Sequence, residues 1–289
     1  MGIKILLAVD GSERSYEAAR AIGVLAAGSE LVVLNVVDVP GLAYPTLGAG
    51  LAKDLAMQVE LAMRKEAEQV LDRVTSFLPS DLASVQKRIE LGSPAEMILT
   101  VAKECQVDLI VLGSRGLGPI REHVFGSVSH RVMTHAPSST LIVKGPLQEV
   151  RQILLPVESE EDGEAAVAFL SKKPFRMLPK VMVLHVVPFT QPVLPVGALI
   201  PEKFRKEMIA YAEEFTGNIA ARLTQLGYEA EGVAVMGAPA LAIAEEAEAH
   251  CPELILMRTH SRSGLSRFLL GSVSHSVAHH TACSFLLIK

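Results

Sequence analysis

Aromatic residues make up only 4% of this 289-residue chain, and cysteine occurs three times. The formal net charge is −5, so the chain lacks the basic domain or stripe of a nucleic-acid groove binder. No stretch reaches the ~18 apolar residues that a membrane-spanning helix needs. Cys105, Cys251 and Cys283 show no metal-ligand spacing. Reduced thiols in a cytoplasmic protein are therefore the expectation. The opening segment, Met1 to Asp10, reads as an apolar strand meeting a charged helix, not as a signal peptide. Leu6 stands where a myristoylation signal requires Ser or Thr.

What is abundant is aliphatic. Hydrophobic residues make up 49% of the chain, and Val, Ile, Leu and Ala suit buried parallel strands covered by helices. The length allows two domains of ~145 residues each. Internal repetition supports that division. Residues 126–144, GSVSHRVMTHAPSSTLIVK, align with residues 271–289, GSVSHSVAHHTACSFLLIK. Earlier blocks match in the same order: Ile5 to Asp10 with Ile153 to Glu158, and Leu31 to Val37 with Val181 to Val187. The expected domains are residues 1–146 and 147–289.

Within each copy, short aliphatic runs alternate with longer helical patterns, which argues for βαβ units and a parallel sheet. In the first copy the expected strands are 3–9, 31–37, 85–91, 108–113 and 139–144. Ser12 is a candidate N-cap for a helix ending near Gly28. Residues 52–77 read as a long amphipathic helix. Pro94 opens the next helix, and the last follows Gly126-Ser127 and ends before Pro137. A doubly wound sheet of this kind binds ligands beyond the carboxyl ends of its strands, where the strand order reverses.

Two segments fall at that place. Gly113-Ser-Arg-Gly116, nine further residues and then Gly126-Ser127 run from a strand end to a helix start. Small residues let the backbone approach an oxyanion, and free amides at a helix start suit phosphate. A turn with a helix cap explains the same residues without a ligand. Asp10 follows the first strand; its carboxylate suits a ribose hydroxyl or a base amine, or else caps the helix with Gly11 and Ser12. Val36, near the end of the second strand, reads as core or as an apolar wall for a base.

Val9-Asp10-Gly-Ser12, Asn35-Val36 and the Gly113, Gly116, Gly126-Ser127 spacing together resemble the universal stress protein family, in its ATP-binding branch. Both halves resemble it, so the chain resembles a tandem member. The resemblance implies two Rossmann-like (adenine nucleotide alpha hydrolase-like) α/β domains. Each would be a five-stranded parallel sheet in the order 3-2-1-4-5 with helices on both faces. It implies ATP, with Mg²⁺ through the phosphates and no protein metal ligand. By that match Asp10 and Val36 contact adenosine, and Gly113, Arg115, Gly116, Gly126, Ser127 and Ser129 hold phosphates. Ala8, Val9, Ser12, Leu112 and Val128 complete the nucleotide-binding set. It also implies pairing of the two halves through their last strands, 140–143 and 285–288, and leaves a homodimer open.

The second copy departs from the pattern. Arg258-Thr-His-Ser261 replaces the first two glycines of the loop, and Glu158 replaces Asp10. The helix start Gly271-Ser272-Val273-Ser274 survives. Arg258, Ser261, Gly271, Ser272 and Ser274 therefore form a second candidate site, for an anion other than ATP in its usual pose. His275 and His279 share a helix face but lack a metalloprotease pattern, and read as surface or interface histidines. Met208 and its neighbours in 201–226 read as helix-face core or interface.

An adenine-nucleotide-binding regulatory protein of the stress response is the leading expectation. A slow ATPase, a phosphoryl- or adenylyl-transfer enzyme on the same fold, and a scaffold with vestigial sites are the alternatives. No catalytic residue is assigned.

Overall fold

The computed structural model describes residues 2–39, 49–114, 125–189, 201–258 and 271–289. The chain divides into two units, Met1–Pro146 and Leu147–Lys289.

Unit 1 begins with β1 (Lys4–Val9), whose residues after Lys4 are all buried. The helix α1 (Glu13–Arg20) follows. Ser12 caps it by accepting a hydrogen bond from the Ser15 amide at 3.2 Å, so the expected N-cap is present. The helix stops well short of Gly28: a 3₁₀ turn, Ala21–Val24, takes over. That turn buries Ala21, Ile22 and Val24, so packing of these side chains sets the backbone there rather than helical periodicity. Next come β2 (Glu30–Val37) and the long helix α2 (Ala49–Thr75). The strand β3 (Ser84–Leu91) leads into α3 (Pro94–Glu104), with Pro94 in its first turn. The unit closes with β4 (Leu109–Gly113), α4 (Ser127–His135) and β5 (Ser139–Val143).

The strand order in unit 1 is β3-β2-β1-β4-β5, every pair parallel. The chain builds outward from β1 through β2 to β3, then crosses back to lay β4 on the other flank of β1. Ala8 is in register with Leu34 on one side and Leu112 on the other. The carboxyl ends of β1, β2 and β4 are therefore level, and Asp10 emerges between the other two.

Unit 2 contains β6 (Gln152–Pro156), α5 (Glu160–Ser171), β7 (Lys180–Pro188), α6 (Glu202–Gln225) and β8 (Ala230–Gly237). It continues with α7 (Pro239–His250), β9 (Leu254–Arg258), α8 (Ser272–His280) and β10 (Ser284–Ile288). Its order, β8-β7-β6-β9-β10, repeats that of unit 1, again all parallel.

In both units the inner strands are continuous aliphatic runs because helices cover both faces. Ile5, Leu7, Val111, Leu154, Leu256 and Leu286 are each 1% exposed or less. One acidic side chain in each unit ties the first strand to the fourth. The Lys4 amide donates to Asp108 Oδ2 at 2.9 Å. In unit 2 the Arg151 and Gln152 amides donate to Glu253 Oε2 at 3.1 and 2.9 Å, and Arg151 Nε donates to Oε1 at 3.2 Å. Burial alone would raise the Glu253 carboxyl. The amides of Gln152, Glu253 and Arg151 and the Arg151 guanidinium outweigh it and hold the group below its ordinary value. Among the described residues, no helix is long and apolar enough to cross a membrane.

Candidate functional site

At the end of β1 the chain must leave the sheet and enter α1 within a few residues. Gly11 makes this possible with φ +83°, in the left-handed region where a side chain is strained. The turn folds the Asp10 carboxylate back over the helix entrance. The Ser12 amide donates to Asp10 Oδ1 at 3.0 Å, and the Ser12 hydroxyl donates to the same oxygen at 2.6 Å. Ser12 is buried while Asp10 stays exposed. One carboxylate oxygen thus fixes the turn, and the other, Oδ2, bonds to none of the described residues. Both sequence readings of Asp10, as a cap and as a ligand acceptor, are compatible with this arrangement.

Beside Asp10, the sheet supplies a fixed wall. Asn35 is buried and donates from Nδ2 to the Val9 carbonyl at 2.9 Å, locking β2 to the last residue of β1. Val36 is half-buried in a strand otherwise buried from Leu31 to Val37. It is thus the one apolar side chain of β2 that is not fully buried. Ala8, Val9 and Leu112 are buried strand residues whose side chains belong to the core.

Gly113 is required by packing. A Cβ there would lie 2.7 Å from both the carbonyl carbon and the oxygen of Arg14, in the first turn of α1. The helix start therefore rests directly on the last residue of β4. The glycine pattern in the sequence suggests approach to phosphate; the structure adds approach to a helix.

On the far side of the loop, Gly126 is the N-cap of α4. Its amide donates to the Ser114 carbonyl at 2.9 Å. The Ser129 hydroxyl donates to the same carbonyl at 2.8 Å and to Gly126 O at 3.1 Å. Ser129 is buried and its hydroxyl proton is committed, so it braces the loop, and only its amide remains for a ligand. The amides of Ser127, Val128 and Ser129 have no partner within the helix. With the exposed Ser127 hydroxyl, they are donors at the surface of the helix start. Arg115 and Gly116 lie outside the described residues.

Unit 2 holds the same places differently. His185 Nδ1 donates to the Val157 carbonyl at 2.9 Å, as Asn35 does to Val9, which makes Val157 the counterpart of Val9. Between that valine and the cap serine stand two residues in unit 1, Asp10 and Gly11, but one in unit 2, Glu158. The shorter turn is held from inside the helix. Asp162, 3% exposed, accepts at Oδ2 from the amides of Glu158 and Ser159, at 2.9 and 3.1 Å.

Arg258 stands where unit 1 has Gly113. Its Nη1 donates to Glu161 Oε2 at 2.9 Å and lies 3.6 Å from Asp162 Oδ1. The expected anion clamp is thus already satisfied by acids of the same unit. Gly271 caps α8, and Ser272 and Ser274 sit in its first turn, Ser274 buried. Ser261 lies outside the described residues. The rings of His275 and His279 face each other with centroids 4.3 Å apart. Among the described residues no cluster of three or more His, Cys, Asp or Glu side chains could hold a metal ion.

The Arg258 pairing was readable in part. Alignment of the halves on their cap serines, Ser12 and Ser159, sets Arg14 against Glu161, and alignment on the later helix starts, Gly126 and Gly271, sets Gly113 against Arg258. The cation has moved from helix to strand, and an acid has taken its place on the helix.

Comparison with known proteins agrees with this architecture. The model of the universal stress protein family matches twice, over residues 2–144 and 149–289. Universal stress protein YxiE of Bacillus subtilis (strain 168) is 30% identical over 152 residues, which is 49% of this chain and 98% of that protein. The crystal structure of a universal stress protein from Archaeoglobus fulgidus DSM 4304 superposes with a TM-score of 0.65 at 20% identity, covering 99% of this chain and 96% of that one. A functionally unknown protein from Pseudomonas aeruginosa PAO1 gives 0.58 at 16% identity, over 99% and 92% of the two chains. These two structural likenesses bear on the fold. With a family model matched across both halves, the chain belongs to the universal stress protein family.

Proposed function

We propose that unit 1 binds an adenine nucleotide, ATP with Mg²⁺ held through its phosphates, and that the chain is a regulatory protein of the stress response. The observation that carries this is the Asp10 carboxylate. It is fixed by Gly11 and Ser12 at the reversal point of the strand order, and it keeps one oxygen for a ligand.

The residues present fit such a ligand. Asp10 Oδ2 is an acceptor for ribose hydroxyls. The half-buried Val36 is a wall for the base. The free amides at the start of α4 are donors for phosphate. The Mg²⁺ ion would neutralise phosphate charge, and the chain's own contribution is to bind and orient. Unit 2 lacks this combination: Glu158 sits in a shorter turn, and the Arg258 cation is spent on Glu161 and Asp162.

Titration calorimetry of the full chain with Mg-ATP tests the reading. One site per chain is expected, lost in Gly126→Arg. Two equivalent sites, or none at millimolar nucleotide, overturn it. Turnover at or above ~1 s⁻¹ would favour the transfer-enzyme or ATPase alternative instead.

A further inference from the structure

Helix α2 reaches the turn that carries Asp10. A Cβ built on Gly11 would lie 3.0 Å from Val70 Cγ2, so a valine methyl rests on the residue that lets the chain turn. Val70 stands beside the buried stripe of α2. Ala67, Leu71 and Val74 are buried, whereas Val70 is half-buried. A β-branched side chain in a helix has essentially one χ1 rotamer. The methyl is therefore a stiff contact on a stiff element.

A row of ring and cation contacts holds α2 in that place. Arg73 and Phe77 follow Val70 along the same flank. The Arg73 guanidinium lies 4.5 Å from the centre of the Tyr16 ring. Phe77 meets Tyr16 edge-on at 5.8 Å, and Arg20 lies over Phe77 at 4.6 Å. Tyr16 is buried, and such contacts strengthen as water leaves them. Gly11, Tyr16 and Arg20 thus meet Val70, Arg73 and Phe77 in order, starting at the mouth of the sheet. Unit 2 joins its corresponding helices another way. Four residues past the cap serine, where unit 1 has Tyr16, it has Gly163. A Cβ there would lie 2.6 Å from Ile219 Cδ1, so α5 and α6 close directly on each other. The row of rings and cations belongs to the unit whose acid stays exposed.

We propose that Val70 is a positioning residue of the unit 1 site. Hydrogen bonds from the Ser12 amide and hydroxyl to Asp10 Oδ1 close the turn on one side, and the Val70 methyl closes it on the other. Held from both sides, Gly11 keeps one conformation and Asp10 Oδ2 one direction. Without the methyl the glycine is free to flex, and a ligand must order the turn at a cost in affinity. The effect on affinity rests on the nucleotide reading above; the bracing of the turn does not.

Val70→Ala and Val74→Ala separate bracing from packing. By titration calorimetry of the full chain with Mg-ATP, Val70→Ala should bind ~5-fold more weakly, and Val74→Ala within about twofold of the wild type. Val74→Ala, at the more buried position, should nonetheless lose more stability in urea. Val70→Ile, which keeps both branches at Cβ, should bind as the wild type does. In the ligand-free chain, NMR should show the Ser12 amide exchanging with solvent ~5-fold faster in Val70→Ala and at the wild-type rate in Val74→Ala. An unchanged Ser12 exchange rate in Val70→Ala overturns the proposal whether or not nucleotide binds. So does a Val70→Ala chain that binds Mg-ATP as tightly as the wild type, or equal weakening in Val74→Ala. A wild type that binds no nucleotide, with Ser12 exchange still accelerated in Val70→Ala, sinks the nucleotide reading and upholds the brace.

Discussion

The two units solve one problem, leaving the first strand and starting a helix at the mouth of the sheet, with the carboxylate in different places. In unit 1 the acid, Asp10, stands before the helix, is exposed, and uses one oxygen to hold the turn. In unit 2 the acid, Asp162, stands inside the helix, is buried, and holds the turn from behind while facing Arg258. The first arrangement leaves acceptor capacity at the surface; the second buries it. What separates a candidate binding site from its twin is therefore the direction from which the turn is braced, more than the loss of glycines alone.

The largest test is to make unit 1 resemble unit 2 at the strand end. Gly113→Arg forces atoms into the 2.7 Å contact with the Arg14 backbone, so α1 must shift. A loss of about 3 kcal/mol in urea unfolding is expected for such overpacking, together with loss of nucleotide binding. If the variant keeps both stability and binding, the packing role assigned to Gly113 is wrong.

Next in size is Asp10→Ala. It should weaken nucleotide binding ~10- to 100-fold, about 1.5–3 kcal/mol for a hydrogen bond to a charged group. Asp10→Asn, which retains an acceptor for Ser12, should keep the thermal midpoint but not the affinity. Equal loss of midpoint in both variants would reduce Asp10 to a cap.

The reciprocal change, Arg258→Met, removes the cation beside a buried carboxylate and should cost about 1–2 kcal/mol, measured by denaturant unfolding. Asp162→Asn in the same background should recover part of it. Full stability of Arg258→Met would show that the pair merely coexists.

The smallest effect concerns Glu253. Its carboxyl is held below the ordinary value in the folded chain. Its contribution is therefore present above the carboxylate range and lost as pH falls through the folded value. Glu253→Gln should lower the neutral-pH melting temperature slightly, and the gap to the wild type should close in acid. A gap that persists at low pH would assign the cost to packing.

Most of the fold was legible because its signals are local. Aliphatic runs marked the inner strands, Ser12 marked a helix start, and Pro94 marked another. The helix α1 ran short of expectation because Ala21, Ile22 and Val24 pack as a 3₁₀ turn, and periodicity does not report that. The places of Asp10 and Val36 at the carboxyl ends of β1 and β2 were legible from strand position alone. The roles of Gly113 and Ser129 were not, and that of Arg258 was legible only in part. Each depends on a partner far along the chain: Arg14 for Gly113, Ser114 for Ser129, Glu161 for Arg258. Met208 reads as helix-face core or interface in the sequence and is exposed in the structure, since a spacing alone does not say which side of a helix its own sheet will use.

Gly11 has no counterpart in unit 2, and this bears on how the halves can change from here. A drifted side chain is one substitution away from return. A turn one residue shorter is not, because no exchange of side chains at Glu158 or Ser159 restores the missing backbone step. Copying every unit 1 residue into its aligned place would still leave the acid one position too close to the helix. Re-creating the first unit's site in the second requires an insertion, with the departure of Arg258 and Asp162 at nearly the same time. The asymmetry of the tandem therefore lies in the length of the backbone as well as in the side chains, and exchange of side chains alone cannot remove it.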